Sequence, residues 1–182
     1  MRFRFNEKKA AQAAAFLLSR HQGRMNYTVL LKLLYLADRK ALIERGLPIT
    51  GDAMVSMPNG TALTTVCDLL RDEVTGHERI WFKFVSPPQG YDVSAAGNQD
   101  IDELSQYELD VLEIVDRERG HLNWLQIVDY THALPEWDNP GRSSKPILPE
   151  RILQLAGISE EEISRLGEEA EAFNAFDSMA GR

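Results

Sequence analysis

The segment from Tyr27 to Arg45 constrains the fold more than any other part of the sequence. It is predicted to be a helix, with Asn26 as its N-cap and Gly46 just beyond its last residue. Its apolar residues cover several faces of that helix: Val29, Leu30, Leu31, Leu33, Leu34 and Leu36. A helix that is apolar on several faces packs against neighbours on more than one side. The sequence therefore predicts a helical protein organised around this segment.

One carboxylate interrupts the apolar pattern of this helix. Asp38 falls in the centre of a stripe formed by Tyr27, Leu31, Leu34, Tyr35 and Leu42. A charge on a core-facing stripe costs free energy unless it is paired or hydrogen-bonded. Asp38 is therefore a satisfied structural acid or a functional one, and the structural interpretation is favoured because buried ion networks give the same pattern. Lys32 lies roughly 100° round the helix and is expected to reach the surface beside Leu36.

The remaining sequence predicts further helices and a small amount of β structure. The helices are expected at Glu7–Arg20, from Gly60 or Thr61 through Asp72, at Leu104–Arg117, at Asn123–His132, at Pro149–Ala156 and from Ser159 to about Phe176. Ala53–Met57 is expected as a strand that leads into a turn, and residues 80–85 and 91–93 as a β-hairpin. Residues 136–147 are expected to form an ordered loop. The predicted fold class is mainly α, a single-domain helical bundle with a small antiparallel β-sheet or hairpin at one edge.

Chain length indicates the number of domains, and the charge distribution indicates the classes of partner. The 182 residues predict one domain, with a core at about 26–157 and an acidic terminal helix at 159–176. The net charge of −8 is divided into +7 for residues 1–50, −10 for 51–158 and −5 for 159–182. This division fits two faces for two partners, or solvated faces that offset each other in the fold. The acidic total makes nonspecific nucleic-acid binding an unfavoured function.

Composition points to a cytoplasmic protein. The chain is 43% hydrophobic and 26% charged, which is ordinary for a globular domain, and its single cysteine, Cys67, fits a reducing compartment. No stretch approaches the roughly 20 apolar residues that span a bilayer. Residues 1–5 are basic but lack the apolar core of a signal peptide.

Motifs for cofactor or metal chemistry are absent from the sequence. There is no phosphate-binding glycine loop, no dinucleotide fingerprint and no zinc-ligand spacing, so no cofactor is expected. Cys67 with His121 or His132 is a conceivable nucleophile pair, but the position of Cys67 beside Val66 favours a core role.

Three aspartates give the best enzyme hypothesis. Asp38, Asp52 and Asp68 would have to meet in one pocket and hold a metal ion together with water and phosphate oxygens. Otherwise Asp52 is a turn residue and Asp68 lies on the flank of a helix. Spacing alone does not bring the three together, so an enzyme is the alternative and not the main prediction.

Protein binding is the stronger functional signal. Met54, Met57 and Pro58, and the loop 135–137 with Trp137, place Met and Trp at or beside loops. These residue types are enriched at the energetic centres of interfaces. Flanking prolines would present Trp137 rigidly, although a tryptophan also commonly folds back onto the core. The acidic terminal helix would steer a basic partner or simply confer solubility.

Short segments in a fixed order support a family assignment. The segments are Lys32–Asp38, Pro48–Asp52, Met57–Gly60, His132–Trp137 and Ser143–Ile147. Together they resemble the Panacea domain, the family of SocA-like antitoxins. One departure is visible, because the family usually has Gly-Pro-Val after the Met-Pro step and this chain has Gly60, Thr61 and Ala62. That difference bears on local turn geometry and partner choice, and not on the fold.

The resemblance implies a noncatalytic antitoxin that neutralises a toxin encoded next to it. Most members of the family are thought to bind the toxin directly, whereas the SocA type delivers its toxin to the ClpXP protease. The toxin-contacting face is expected at Met57, Pro58, Asn59, Gly60 and Trp137, above a structural motif of Lys32, Tyr35 and Asp38. A phage or prophage accessory protein that binds a host factor is a further alternative.

Overall fold

The computed structural model describes residues 1–75, 79–98 and 100–179. The helices are α1 (Glu7–Arg20), α2 (Tyr27–Arg45), α3 (Thr64–Leu70), α4 (Gln106–Arg119), α5 (Trp124–His132), α6 (Pro149–Leu155) and α7 (Glu160–Met179). The strands are β1 (Arg24–Asn26), β2 (Met54–Met57), β3 (Gly60–Leu63), β4 (Asp92–Ser94) and β5 (Lys145–Ile147), and a 3₁₀ helix covers Ile80–Lys83. None of the helices in these ranges has the length and apolar character needed to cross a membrane.

Helix α2 is the centre of the structure, as its sequence predicts. It packs against α1, against α3 to α6, and against β1 and β3. The side chain of Asn26 caps its start by accepting the N–H groups of Thr28 and Val29. Gly46 ends it in a left-handed conformation with φ of +71°. The neighbours of α2 therefore bury nearly all of its first four turns.

Within the described residues, two small antiparallel sheets accompany the helices. Strand β1 pairs with β4, and β2 lies between β3 and β5. In the second sheet Met57 faces Gly60 across a tight turn, while Met54 faces both Leu63 and Ile147. The predicted mainly α architecture with a small antiparallel sheet is confirmed.

The predicted third helix is wrong at its start. Residues 60–63 form strand β3, and α3 begins only at Thr64. All four strand residues are buried, because β3 pairs with β2 on one side of the turn and lies against α2 and α5. These long-range contacts override the local helical pattern. The carboxylate of Asp52 then caps α3 by accepting the N–H of Val66.

The predicted hairpin at residues 80–93 is also wrong. Ile80–Lys83 is a 3₁₀ helix, and β4 pairs with β1 instead of with this segment. Trp81 and Phe84 are both buried, and this spacing of three residues suits a tight helix better than a strand. Glu7 fixes the start of the 3₁₀ helix by accepting the N–H of Trp81.

The loop predicted at residues 136–147 contains a strand that the sequence did not reveal. Lys145–Ile147 forms β5, which adds to the free edge of β2. Pro146 lacks an N–H group, and its place on an outer strand is one of the few that a sheet tolerates for proline. Strand β5 is therefore an outer strand of the sheet whose β2–β3 turn belongs to the predicted binding face.

The turn between β2 and β3 requires glycine at position 60. Pro58 and Asn59 form its tip, and Gly60 has a φ of +86°. A Cβ atom at this position would overlap the hydroxyl of Thr131 on α5 and would lie 3.5 Å from the Lys32 ammonium. The Gly-Thr-Ala sequence, which departs from the family pattern, thus retains the glycine on which the turn depends.

A Gly60→Ala substitution should lower the free energy of unfolding by on the order of 2 kcal/mol or more. The left-handed φ and the overlap with Thr131 both contribute. Gly90→Ala is the matched control, since Gly90 has φ of +66° but nothing within 4 Å of its added Cβ. Urea unfolding should show a clearly larger loss for Gly60→Ala, and equal losses would contradict the tight packing of the turn against α5.

Candidate functional site

The β2–β3 turn is held from below by Lys32. Its ammonium donates to the carbonyl oxygen of Thr61 at 2.6 Å, and the side chain is 2% exposed. The expectation that Lys32 reaches the surface is wrong, because the turn covers the end of the side chain. Burial, with a smaller contribution from the nearby positive charge of Arg71, lowers the pKa of Lys32 to about 8.

The loop that follows α5 is held by Glu136. Its carboxylate accepts the hydroxyl of Tyr35 at 2.9 Å and the guanidinium of Arg39 at 2.6 and 3.2 Å. The Glu136 side chain is fully buried, so the paired charge and the second donor offset its desolvation. Burial and the adjacent Glu136 charge raise the pKa of Tyr35 well above its usual value, which keeps the hydroxyl protonated as a donor.

The segment that follows α2 is held by Asp38. One carboxylate oxygen accepts the N–H groups of Ile49 at 3.0 Å and Thr50 at 2.9 Å, and the other accepts the Thr50 hydroxyl at 2.5 Å. The side chain is completely buried. Burial raises the pKa of Asp38 to about 7 against the opposing effect of these hydrogen bonds, and the negative Asp52 adds to the rise. Asp38 therefore connects α2 to the segment that follows it inside the protein, and it is not at the surface.

The turn and the later loop contact each other directly. The indole N–H of Trp137 donates to the Met57 carbonyl at 3.1 Å, and the His132 ring contacts the Pro58 carbonyl at 2.9 Å. The His132 and Trp137 rings lie 4.5 Å apart between centroids. The N–H of Asp138 also donates to the hydroxyl of Ser56 at 3.1 Å. Two loops separated by about 80 residues thus form one continuous feature.

The residues expected at the binding face differ in their accessibility. Pro58 and Asn59 are exposed, Met57 and Trp137 are half-buried, and Gly60 is buried. Gly60 shapes the turn but offers no surface to a partner. Trp137 combines both predicted roles, since its ring braces the turn while part of it stays exposed. We use the term braced surface for Met57, Pro58, Asn59 and Trp137.

The three aspartates of the enzyme hypothesis do not meet in one metal site, and Asp38 and Asp52 bind separate backbone segments. Asp52 accepts the N–H groups of Ala53 and Val66 and the hydroxyl of Thr65, each at 2.8 Å. Across the described ranges, no group of three or more His, Cys, Asp and Glu side chains is placed to hold a metal ion. Asp38, Asp52 and Asp68 therefore do not form the proposed metal site.

The cysteine is a core residue on α3. Cys67 is 3% exposed, and burial raises the pKa of its thiol, which disfavours the nucleophilic thiolate. His132 instead contacts the carbonyl of Pro58. The structure therefore does not give Cys67 the accessible setting of a catalytic thiol.

Two exposed apolar side chains on α5 were not singled out by the sequence. Trp124 is 50% exposed and Leu125 is 54% exposed. The helical spacing would have buried Trp124 with Ile127 and Val128, so the pattern carried no signal of its exposure. Helix α5 ends at His132, whose ring contacts the turn, so these side chains belong to an element attached to the braced surface.

A helical scaffold that presents braced, exposed loops is typical of a protein-binding module. A family model described as Antitoxin SocA-like, Panacea domain, matches residues 30–138, which is more than half of the chain. The chain belongs to this antitoxin family, as its sequence motifs predicted. The family indicates a non-enzymatic role with a toxin as partner. Neither a curated protein nor a solved structure matches the chain.

Asp38 should give the protein a characteristic dependence of stability on pH. The folded chain holds the Asp38 proton more tightly than the unfolded chain, because the pKa rises from 3.8 to about 7 on folding. The contribution of this group to stability is therefore greatest at acidic pH and declines as pH rises from about 4 to about 7. An Asp38→Asn variant keeps an acceptor for the two N–H groups but cannot ionise.

Urea unfolding of both proteins between pH 4 and pH 8 checks this expectation. The stability of the native sequence relative to Asp38→Asn should fall across that range by on the order of a few kcal/mol. Asp129→Asn, at an exposed acid, should leave the pH dependence unchanged. A constant difference between the native protein and Asp38→Asn would contradict a raised pKa of Asp38 in the folded protein.

Proposed function

We propose that this protein neutralises a toxin by direct contact through the braced surface. The observation that supports this most strongly is that the antitoxin family match, residues 30–138, spans both loops of that surface and the α2 side chains beneath them. The alternative enzyme hypothesis is weaker, because Asp38, Asp52 and Asp68 do not form a metal site in the described part of the chain. Toxin binding is therefore the function that the geometry supports best.

The braced surface suits tight binding because little has to be ordered when a partner arrives. The Lys32, Trp137 and His132 side chains bind backbone carbonyls of β3, of the end of β2 and of the turn, respectively. Ordering loops and side chains on association ordinarily costs free energy, and a surface that is already fixed avoids much of that cost. Met and Trp beside an exposed turn also match the residue types at the energetic centres of interfaces.

The contact area must extend beyond the two loops. A stable protein–protein interface buries roughly 1,600 Å² in total, or about 800 Å² from each partner. Four residues of the braced surface cannot supply this area. The exposed Trp124 and Leu125 on the adjoining helix α5 are the apolar side chains best placed to enlarge it.

Delivery of the toxin to a ClpXP-type protease is the alternative mechanism within the same family. It would require a second contact for the protease, and the candidate for that contact is α7, an acidic helix beyond the matched region. A host-factor-binding accessory protein would use the braced surface in a similar way. Direct neutralisation needs only one partner and one surface, and it is the mechanism we favour.

An Asn59→Arg substitution tests the proposed surface. Asn59 is exposed at the tip of the turn, so a larger, charged side chain should obstruct a partner without disturbing the fold. Gln154→Arg on the exposed side of α6 introduces the same side chain elsewhere and serves as the control. With the toxin from the neighbouring open reading frame, Asn59→Arg should weaken binding at least tenfold, about 1.4 kcal/mol, and reduce growth rescue on co-expression.

Three outcomes of the experiment are informative. Unchanged affinity and rescue in Asn59→Arg, with an unchanged thermal unfolding midpoint, would remove the turn from the interface. Equal losses in both variants would point to a general charge effect. Rescue accompanied by disappearance of the toxin, and lost in a host without the protease, would establish the adaptor mechanism instead of direct neutralisation.

A further inference from the structure

A cavity of about 420 Å³ opens beside the β2–β3 turn. Among the residues that the structure describes, its charged lining consists of Lys32, Arg71 and Arg142, with no aspartate or glutamate. Neutral polar side chains that can donate hydrogen bonds complete much of the wall: Tyr27, Thr28, Asn59, Ser143 and Ser144. In a chain with a net charge of −8, this is a local concentration of positive charge.

Lys32 lies in the wall of this cavity with most of its hydrogen-bonding capacity unused. The side chain is 2% exposed, and its only hydrogen bond within the described part of the chain is to the Thr61 carbonyl. An ammonium group has three N–H donors. No carboxylate of the described residues lies within ion-pair distance of it, and burial together with Arg71 lowers its pKa. A buried cation in this state would gain from an anion placed in the cavity.

The two arginines come from separate parts of the chain. Arg71 follows α3, whereas Arg142 precedes β5, and both are exposed. Neither forms an ion pair with any residue that the structure describes. Burial raises the pKa of Asp68 above its usual value. The positive charge of Arg71 has the smaller, opposite effect on the pKa of Asp68. Within the described ranges, no ion pair engages the positive charges that line the cavity.

We propose that this cavity binds the phosphate group of a small molecule of nucleotide size. A phosphate presents several oxygens and more than one negative charge, which matches two guanidinium groups, an ammonium and neighbouring hydroxyls. A single carboxylate would need fewer donors. The volume lies within the range of about 300–1,000 Å³ that is usual for small-molecule sites. The half-buried ring of Tyr27 in the wall offers an aromatic surface to the remainder of the ligand.

Calorimetric titration of the purified full chain with ADP, pyrophosphate and inorganic phosphate tests the proposal without any toxin. We expect saturable one-to-one binding of ADP or pyrophosphate, with inorganic phosphate as a weaker competitor. An Arg71→Ala and Arg142→Ala double variant should bind at least tenfold more weakly. The control is an Arg117→Ala and Arg151→Ala double variant, which removes the same charge from exposed positions outside the cavity wall.

The same titrations can overturn the proposal. Absence of saturable binding for all three compounds at millimolar concentration, or equal weakening in both double variants, would exclude a phosphate site in the cavity. If none of the compounds binds but the Arg71 and Arg142 variant loses its toxin, the cavity takes an acidic side chain of the partner instead. Because phosphate binding is measured on the chain alone, this result is independent of the outcome for the braced surface.

A Lys32→Met variant provides a second test at the buried position. Methionine is unbranched and apolar, so it can replace the stem of the lysine while removing the charge. The variant should keep its fold but lose at least tenfold in affinity for the phosphate ligand. If it keeps full affinity, the ammonium of Lys32 does not contact the ligand, and the proposed site is wrong.

Discussion

Everything described for the surface depends on polar side chains that α2 directs into the core. Lys32, Tyr35 and Arg39 follow one another at spacings of three and four residues, and Asp38 lies three residues beyond Tyr35. Each binds a segment outside the helix: Lys32 binds β3, Tyr35 and Arg39 bind Glu136, and Asp38 binds the segment after α2. The central helix thereby fixes strand β3 and two irregular segments, the loop after α5 and the segment after α2.

The free-energy cost of burying these charged groups explains why the loops adopt one arrangement. Removing a charged group from water is unfavourable, and the hydrogen bonds recover that free energy only when the geometry is met. An alternative position of a loop would leave Glu136 or Asp38 buried without donors, which costs more than an unpaired group at the surface. The buried contacts consequently favour one arrangement of the turn and the later loop, and that arrangement brings Trp137 against Met57.

Local sequence signals were sufficient for the helices α1 and α2, but not for the strands β3 and β5 or for contacts between distant residues. The sequence predicted α1 and α2 with their observed bounds, with Asn26 and Gly46 marking the two ends of α2, and the apolar stripe identified Asp38 as unusual. Lys32 was misplaced because its burial depends on a turn 29 residues away. Glu136 lies 97 residues from Arg39, and no local pattern reports such a pairing. The same limit applies to Arg71 and Arg142, which meet only in the folded chain.

Hydrogen exchange in an Arg39→Ala variant tests the central role of α2 most directly. The substitution leaves Glu136 buried without its charged partner, so the loop after α5 should loosen. We predict at least tenfold faster exchange of the Trp137 and Asp138 amides, while the Ile49 and Thr50 amides, which Asp38 binds, keep their protection. Unchanged exchange at Trp137 and Asp138, or equal acceleration at all four amides, would contradict independent ties from α2 to separate loops.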